Sequence, residues 1–565
     1  MWRALLILAG LAPLHAASLR VELSPRWGDQ PLVLAETKFK NAAGNKLSVT
    51  RLAFLLSRAQ LRRADGQWIG AADWFAFVDV EKKRTQLTLE GIPDGNYTAL
   101  RFDLGLDPET DGGETTKFPA GHPLHPDTNQ LHWSWRKGYV FLAIEGRYEQ
   151  ADDQLGGYSY HLAGQECRGT VEVPVEMDLR TPQLLSLTFD AAKVFSSQHQ
   201  IDIGKADSTH SRNDAGLAQH MADNAVTAFG ILGLRPDSTP AVQPQEPLVT
   251  PAGVKLDIPA HFPAANWPKD NLPSPAGVAL GKTLFHDTRL SKNNTQSCAS
   301  CHDAKHAFSD PRQFSVGVGG DVGTRNAMPL FNLAWKPAFF WDGRAATLRE
   351  QALMPIVDPH EMNESLEHVV GKLTNLRTEF KQAFGSEEIS PQRLGLALEQ
   401  YLMTLISADS KMDRTLTRQQ PLNESEARGM ALFFTESDPA RGIKGADCFH
   451  CHGGAHFTNH QFLNNGLDSN DSLKDAGRSL ITKNPADRGK FMAPSLRNVS
   501  LTAPYMHDGR FKTLEETVEH YNSGLQRSDT LDPNLAKHLR YGGLGLSKEE
   551  KADLVAFLKA LTDED

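Results

Sequence analysis

The 565-residue sequence contains five cysteines, and four of them build two copies of one pattern. Cys298-Ala299-Ser300-Cys301-His302 is the first copy and Cys448-Phe449-His450-Cys451-His452 is the second. Two thiols at this spacing reach the two vinyl groups of one haem, and the histidine that follows then lies under the iron. A zinc knuckle or a redox dithiol is the other chemistry that paired cysteines support. Two complete motifs, both ending in histidine, in a chain this poor in cysteine point to two covalently held c-type haems. Cys167 stands alone and reads as a buried, inert thiol.

The rest of the chain must hold these two centres. Its length exceeds what one core fills, so two or three domains are expected. There are 59 basic and 69 acidic residues, a net charge of −10, which argues against a nucleic-acid partner. Arg3, the apolar run Ala4 to Leu14 and the small residues Ala16-Ala17 read as a secretory signal peptide over 1–17. That run is too short to span a bilayer, and no later segment is apolar enough. A mature protein without a membrane span, exported to a bacterial periplasm, is expected.

Alternation of apolar residues dominates the first part of the chain. Val171, Val173, Val175, Met177 and Leu179 fall on every second position, as do Leu100, Phe102, Leu104 and Leu106. Tyr139 to Ile144 and Leu184 to Phe189 are further strand candidates, and Pro93-Asp94-Gly95 is a turn signal. Several short strands with turns predict an antiparallel sandwich. Five prolines among polar residues between Pro236 and Pro251 read as an extended linker. Helical signals follow. Ser274-Pro275 is an N-cap with proline at the first helical position. Ser547 to Glu550 is a capping box ahead of Leu554, Phe557, Leu558 and Leu561. Gln392 to Ile406 and Leu366 to Leu376 also read as helices. The expected architecture is multidomain: an N-terminal all-β sandwich-like domain over 18–235, a proline-rich linker over 236–255, and a C-terminal all-α di-haem domain over 256–565. The first haem lobe covers about 270–420 and the second about 421–565.

Residues 270 to 563 resemble the bacterial di-haem cytochrome c peroxidase family, and within it the MauG/MbnH-type branch. The resemblance rests on Thr324-Arg325-Asn326-Ala327, Phe340-Trp341-Asp342-Gly343-Arg344, Pro494-Ser495-Leu496-Arg497-Asn498, and the run from Leu501 through Ala503-Pro504-Tyr505 to Gly509. It implies hydrogen peroxide as substrate. Val318 stands where conventional members carry a histidine that caps the first haem, and only His306 is near enough to replace it. The first haem, on His302, is thus expected to be open. Tyr521 stands where conventional members supply methionine and MauG-type members supply tyrosine, so the second iron is expected to take His452 and Tyr521, with His520 as the competing ligand. An oxygen donor favours ferric and higher states. Pro355 matches a proline over the open haem. Gln351 and Glu361 match the polar pair on the peroxide side, with Glu361 as general acid/base. Trp341 matches a tryptophan that relays electrons between the haems. Asn326 and the carbonyls of Thr502 and Pro504 match a calcium site that waters complete.

Residues 18 to 235 resemble the MbnP-like family of exported copper-binding proteins. His132-Trp133-Ser134-Trp135-Arg136-Lys137-Gly138-Tyr139, running into Phe141 to Gly146, carries the likeness. Tyr160 to Gly164 with Cys167, and His210 ahead of Ala222-Asp223-Asn224, extend it. The resemblance implies copper held by histidines beside a tryptophan oxidised to kynurenine. His161 and His210 are the first candidate ligands; His122, His125, His132 and His220 are further ones. Trp135 is preferred over Trp133 as the oxidised residue. In that family a MauG-type partner performs the oxidation, and here both halves are joined. The expected activity is therefore peroxide-dependent oxidation of a tryptophan in the chain's own front domain, or in that of another molecule, with a periplasmic redox protein as a further partner. Two alternatives stand beside it. A conventional peroxidase with an external electron donor predicts methionine where Tyr521 is. A non-enzymatic copper-binding or electron-transfer protein predicts two six-coordinate haems, which Val318 opposes.

Overall fold

The structure is a computed structural model that describes residues 16–70, 73–115, 117–119, 121–133, 138–150, 154–209, 215–237, 253–259, 261–439 and 442–564. Nearly all of the expected signal peptide, most of the linker, Trp135 and His210 lie outside the described residues.

The chain forms two compact units. The first comprises residues 1–113, 138–149 and 159–245. The second comprises 246–565 together with 114–137 and 150–158. Two pieces that precede the linker in sequence thus group with the haem motifs.

The first unit is β-rich. One sheet runs in the order Phe229–Pro236, Gln183–Asp190, Ala16–Trp27, Gln30–Pro31, with Gln86–Pro93 also paired to Ala16–Trp27. The other is built on the long strand Lys46–Arg63 and runs Gly169–Asp178, Asn96–Leu104, Lys46–Arg63, Val140–Glu149, Leu155–Ala163, Ser208–Thr209. The alternating residues turn inward as their period requires: Val171, Val173 and Met177 are buried on Gly169–Asp178. Val175 is only partly buried because the register slips between Pro174 and Met177. Aromatic rings join the sheets, with Phe54 stacked 4.7 Å from Phe189 and Phe229 edge-on to Phe102 at 5.1 Å. The sandwich is not purely antiparallel: Ala16–Trp27 runs parallel to Gln183–Asp190, and the helix Ala215–Val226 is added to the sheets.

The second unit is helical. Ser274 caps Pro275–Phe285 by accepting from Gly277 N at 3.1 Å, and Ser547 with Glu550 forms the capping box of Lys548–Lys559. The segment from Gln392 folds as Pro391–Leu402, and Leu366–Lys372 continues into a tight turn over Thr374–Leu376. Pro275–Phe285 and Pro391–Leu402 approach so closely that a Cβ on Gly281 would lie 2.0 Å from the Ala397 carbonyl. Two apolar clusters result, one from Phe262 to Met403 and one from Met412 to Leu561.

A buried ion pair ties these clusters. Arg497, 1% exposed, donates to both carboxylate oxygens of Asp413 at 2.7 and 2.8 Å. His261 Nε2 lies 3.0 Å from the same carboxylate, and the guanidinium sits over the rings of Phe262 and Phe457. Burial opposes ionisation of Asp413, but the hydrogen bonds from Arg497 and His261 outweigh it and hold the carboxyl far below its usual range. A depressed folded pKa contributes stability above the unfolded value near ~4, and that stability is lost as pH falls below it. Arg497→Met leaves an uncompensated buried carboxylate. It should destabilise the helical unit by about 3–5 kcal/mol in urea unfolding near neutral pH, with a smaller loss in acid.

Candidate di-haem site

Two cavities open beside the two cysteine motifs. The first encloses about 1320 Å³ of atom-free space, its solvent-open mouth included, and is lined by Cys298, Cys301 and His302. The second, about 1500 Å³ on the same measure, is lined by Cys448, Cys451 and His452. Both proximal histidines are prepared for a metal. His302 Nδ1 lies 2.8 Å from the Phe308 carbonyl, and His452 Nδ1 lies 3.1 Å from that of Pro494. Each bond fixes the tautomer that leaves Nε2 as the donor atom. Burial keeps both rings neutral, lowering His302 and bringing His452 down to about 4. The donor sets and the cavities fit two haems.

The two cavities differ chemically. The helix Leu348–Val357 presents Gln351 and Pro355, four residues apart on one face, to the first cavity. Glu361 follows on the next loop and also lines it. Burial and the nearby Asp358 raise the Glu361 carboxyl pKa against the opposing pull of Arg344. Val318 is not among the lining residues; its amide donates to the Glu361 carbonyl at 2.8 Å and so sets that loop. His306 pairs with Asp303 at 3.0 Å and is also not in the lining.

Tyr521 is among the residues that line the second cavity. The capped helix Leu514–Glu519 passes into a π-helical turn, His520–Gly524, and that turn aims the phenol inward. Burial pushes the phenol pKa up. The neighbouring His520 points its Nε2 at the Asn465 carbonyl, 3.0 Å away, and does not line the cavity.

Trp341, Asn326 and Pro329 line both cavities. The indole N–H of Trp341 donates to the Asn326 carbonyl at 2.8 Å, which fixes the ring between them. The Asn326 amide in turn donates to the carbonyls of Arg312 and Gln313 at 3.1 and 3.2 Å. Thr502 and Pro504 line the second cavity, as Asn326 does. Arg325 bridges the buried Asp342 at 2.6 Å and Asp475 at 2.7 Å, tying the Trp341 loop to the second lobe.

The front-domain candidates are placed unevenly. Trp133 is partly buried against the apolar cluster of the second haem lobe. His161 is buried with Nε2 2.8 Å from Glu145, whose carboxylate also pairs with Arg51 at 2.8 Å. Cys167 is buried, as its isolation suggested.

Three features have no sequence signature. Lys336 lines the first cavity, and burial lowers its pKa to about 8. Asn465 Nδ2 lies 3.5 Å from the Tyr521 hydroxyl and 3.3 Å from Met506 Sδ. Glu436, Asp447 and His450 lie together as metal-ligand types do, but Lys537 donates to Glu436 and stands 3.1 Å from Asp447, so an ammonium supplies the balancing charge. None of these depends on residues adjacent in the chain.

Two covalent cytochrome centres on one helical unit, unequal in their distal residues, define a di-haem cytochrome c oxidoreductase. Comparison with known proteins agrees. The family model described as di-haem cytochrome c peroxidase matches residues 275–421, and the MbnP model matches residues 16–214. The methylamine utilization protein MauG of Methylophilus methylotrophus is 36% identical over 305 residues, spanning 52% of this chain and 86% of the relative. Cytochrome c551 peroxidase of Nitrosomonas europaea is 37% identical over 311 residues, spanning 53% and 85%. A crystal structure of a MauG-like protein associated with microbial copper homeostasis is 36% identical, covering 55% of this chain and 96% of that one at a TM-score of 0.50. The chain belongs to the di-haem cytochrome c peroxidase family and carries an MbnP domain in front. It is a peroxidase-family oxidoreductase with two c-type haems. No helix among the described residues is long and apolar enough to cross a membrane.

Replacing Cys298 and Cys301 with serine should leave one covalent haem per chain, held at Cys448 and Cys451. The converse double variant should retain the other. Intact mass before and after each change reads the loss of one haem.

Proposed function

We propose that this enzyme uses hydrogen peroxide to oxidise a tryptophan of its own MbnP domain to kynurenine, beside a copper site. The observation that carries this reading is the position of Trp133. It comes from the MbnP portion, belongs to the unit that holds both haem motifs, and packs on the cluster against which Cys448 and Tyr521 also lie. The similarity to a MauG-like protein associated with copper homeostasis points the same way.

Haem, when bound, supplies peroxide cleavage and holds the oxidising equivalents. The residues around it do the rest. Glu361, buried and with a raised pKa, takes the proton from the attacking peroxide oxygen and returns it to the leaving one. Gln351 orients the peroxide from the same face. Pro355 brings no metal-binding group to that face and leaves it open. Trp341, fixed by Asn326, carries electrons between the two centres. Tyr521 would offer the second haem a phenol oxygen donor, of the kind that favours oxidised states. Asn326 with the Thr502 and Pro504 carbonyls holds calcium, with waters completing the shell. His161 and His210 hold copper; for His161 to bind through Nε2, its contact with Glu145 must open. Export to a periplasm by the leading segment completes the reading.

Peroxide added to the purified di-ferric protein should produce a loss of one carbon and a gain of one oxygen on a front-domain tryptophan, seen by peptide mass. An unmodified front domain with rapid turnover of an external donor overturns the proposal in favour of a conventional peroxidase. Glu361→Gln should slow the first peroxide-driven change in the haem spectrum by about 10²–10⁴-fold in stopped flow. Its haem content should stay unchanged.

A further inference from the structure

The Trp133 segment is docked by a specific set of contacts. It follows the short helix Pro126–Asn129, after which Gln130 adopts a left-handed backbone at φ +53°. A non-glycine residue there costs about 1 kcal/mol or more and persists where surroundings demand it. The surroundings are the turn just after the second haem motif. Gln130 Nε2 donates to the Asn459 carbonyl, and Gln461 Nε2 donates to Gln130 Oε1 at 2.8 Å. Asn459 Nδ2 in turn donates to the carbonyl of His450, inside the motif, at 2.8 Å. Gln461 is itself fixed, its carbonyl accepting from Ala493 N at 2.8 Å. The other inserted piece touches the same lobe: a Cβ on Gly157 would lie 2.1 Å from the Pro533 carbonyl, so backbone meets backbone there. All of these residues belong to one compact unit.

Resting on the function proposed above, we infer that Trp133 is the residue oxidised, that it is oxidised within its own chain, and that Gln130 and Gln461 are positioning residues for that step. The two contacts of the Gln130 amide, donating to Asn459 and accepting from Gln461, hold the indole segment on the lobe of the second haem. Neither glutamine lines either haem cavity. The chemistry balances with peroxide alone. Two molecules of hydrogen peroxide remove four electrons from the indole. The C2–C3 bond breaks as oxygen is added at both carbons. Hydrolysis of the N1–C2 bond then releases C2 as formic acid and leaves an aniline NH2, one oxygen stays on the side chain as the kynurenine ketone, and one net water is released.

The full chain carrying both haems is given peroxide over a roughly hundredfold range of protein concentration. Kynurenine is located by peptide mass, and the haem spectrum is followed in parallel. The expected result is kynurenine first at Trp133, at a rate independent of protein concentration. Gln461→Ala and Gln130→Ala should each slow it by about tenfold or more, while the peroxide response of the haem spectrum stays as in the parent. Two variants guard against one failing to fold, and haem content checks both. Three results overturn the inference while leaving the proposed activity intact: kynurenine first at Trp135 or elsewhere, a rate that rises with protein concentration, or unchanged rates in both variants. No oxidised tryptophan anywhere, with fast donor turnover, overturns the proposed activity itself.

Discussion

The hydrogen bond from the Trp341 indole to the Asn326 carbonyl is the point on which the helical unit turns. It fixes a flat aromatic ring in the wall shared by both cavities. Asn326 is held in turn by the carbonyls of Arg312 and Gln313, and the Trp341 loop by Arg325 between Asp342 and Asp475. These are buried, charge-assisted or backbone contacts, so the ring cannot swing without leaving polar groups unpaired. Around this fixed wall the two sides diverge. The first carries Glu361, Gln351, Arg344 and Lys336; the second is mostly apolar and ends on the Tyr521 phenol. One motif, repeated, becomes two chemically unequal centres through residues that are distant in sequence.

What was legible in the sequence was local. The CxxCH spacing is set by haem geometry, so it announces itself. The caps at Ser274 and Ser547 are satisfied within one turn, and both formed as read. Alternation on Gly169–Asp178 follows from the two-residue period and also held, apart from the slip after Pro174. What was not legible depends on long-range contact. The Asp413–Arg497 pair joins residues with no common motif. The parallel pairing of Ala16–Trp27 with Gln183–Asp190 looks, strand by strand, like any alternating segment. The departure of residues 114–137 and 150–158 from the front unit has no composition shift to mark it.

That departure bears on how the front segment is held beside the second haem motif. A flexible tether between two domains acts through effective concentration, on the order of millimolar. It leaves orientation open. A segment already inside the helical unit has its orientation fixed by folding. The contacts that hold it include side-chain amides and a close glycine approach. A buried ion pair there would carry a desolvation penalty of several kcal/mol per charge. It would also set fixed charges beside the second haem motif. Neutral amides supply direction at little electrostatic cost. The left-handed backbone at Gln130 fits the same logic: a local penalty of about 1 kcal/mol is accepted where the Gln130 side chain reaches the turn after the second haem motif.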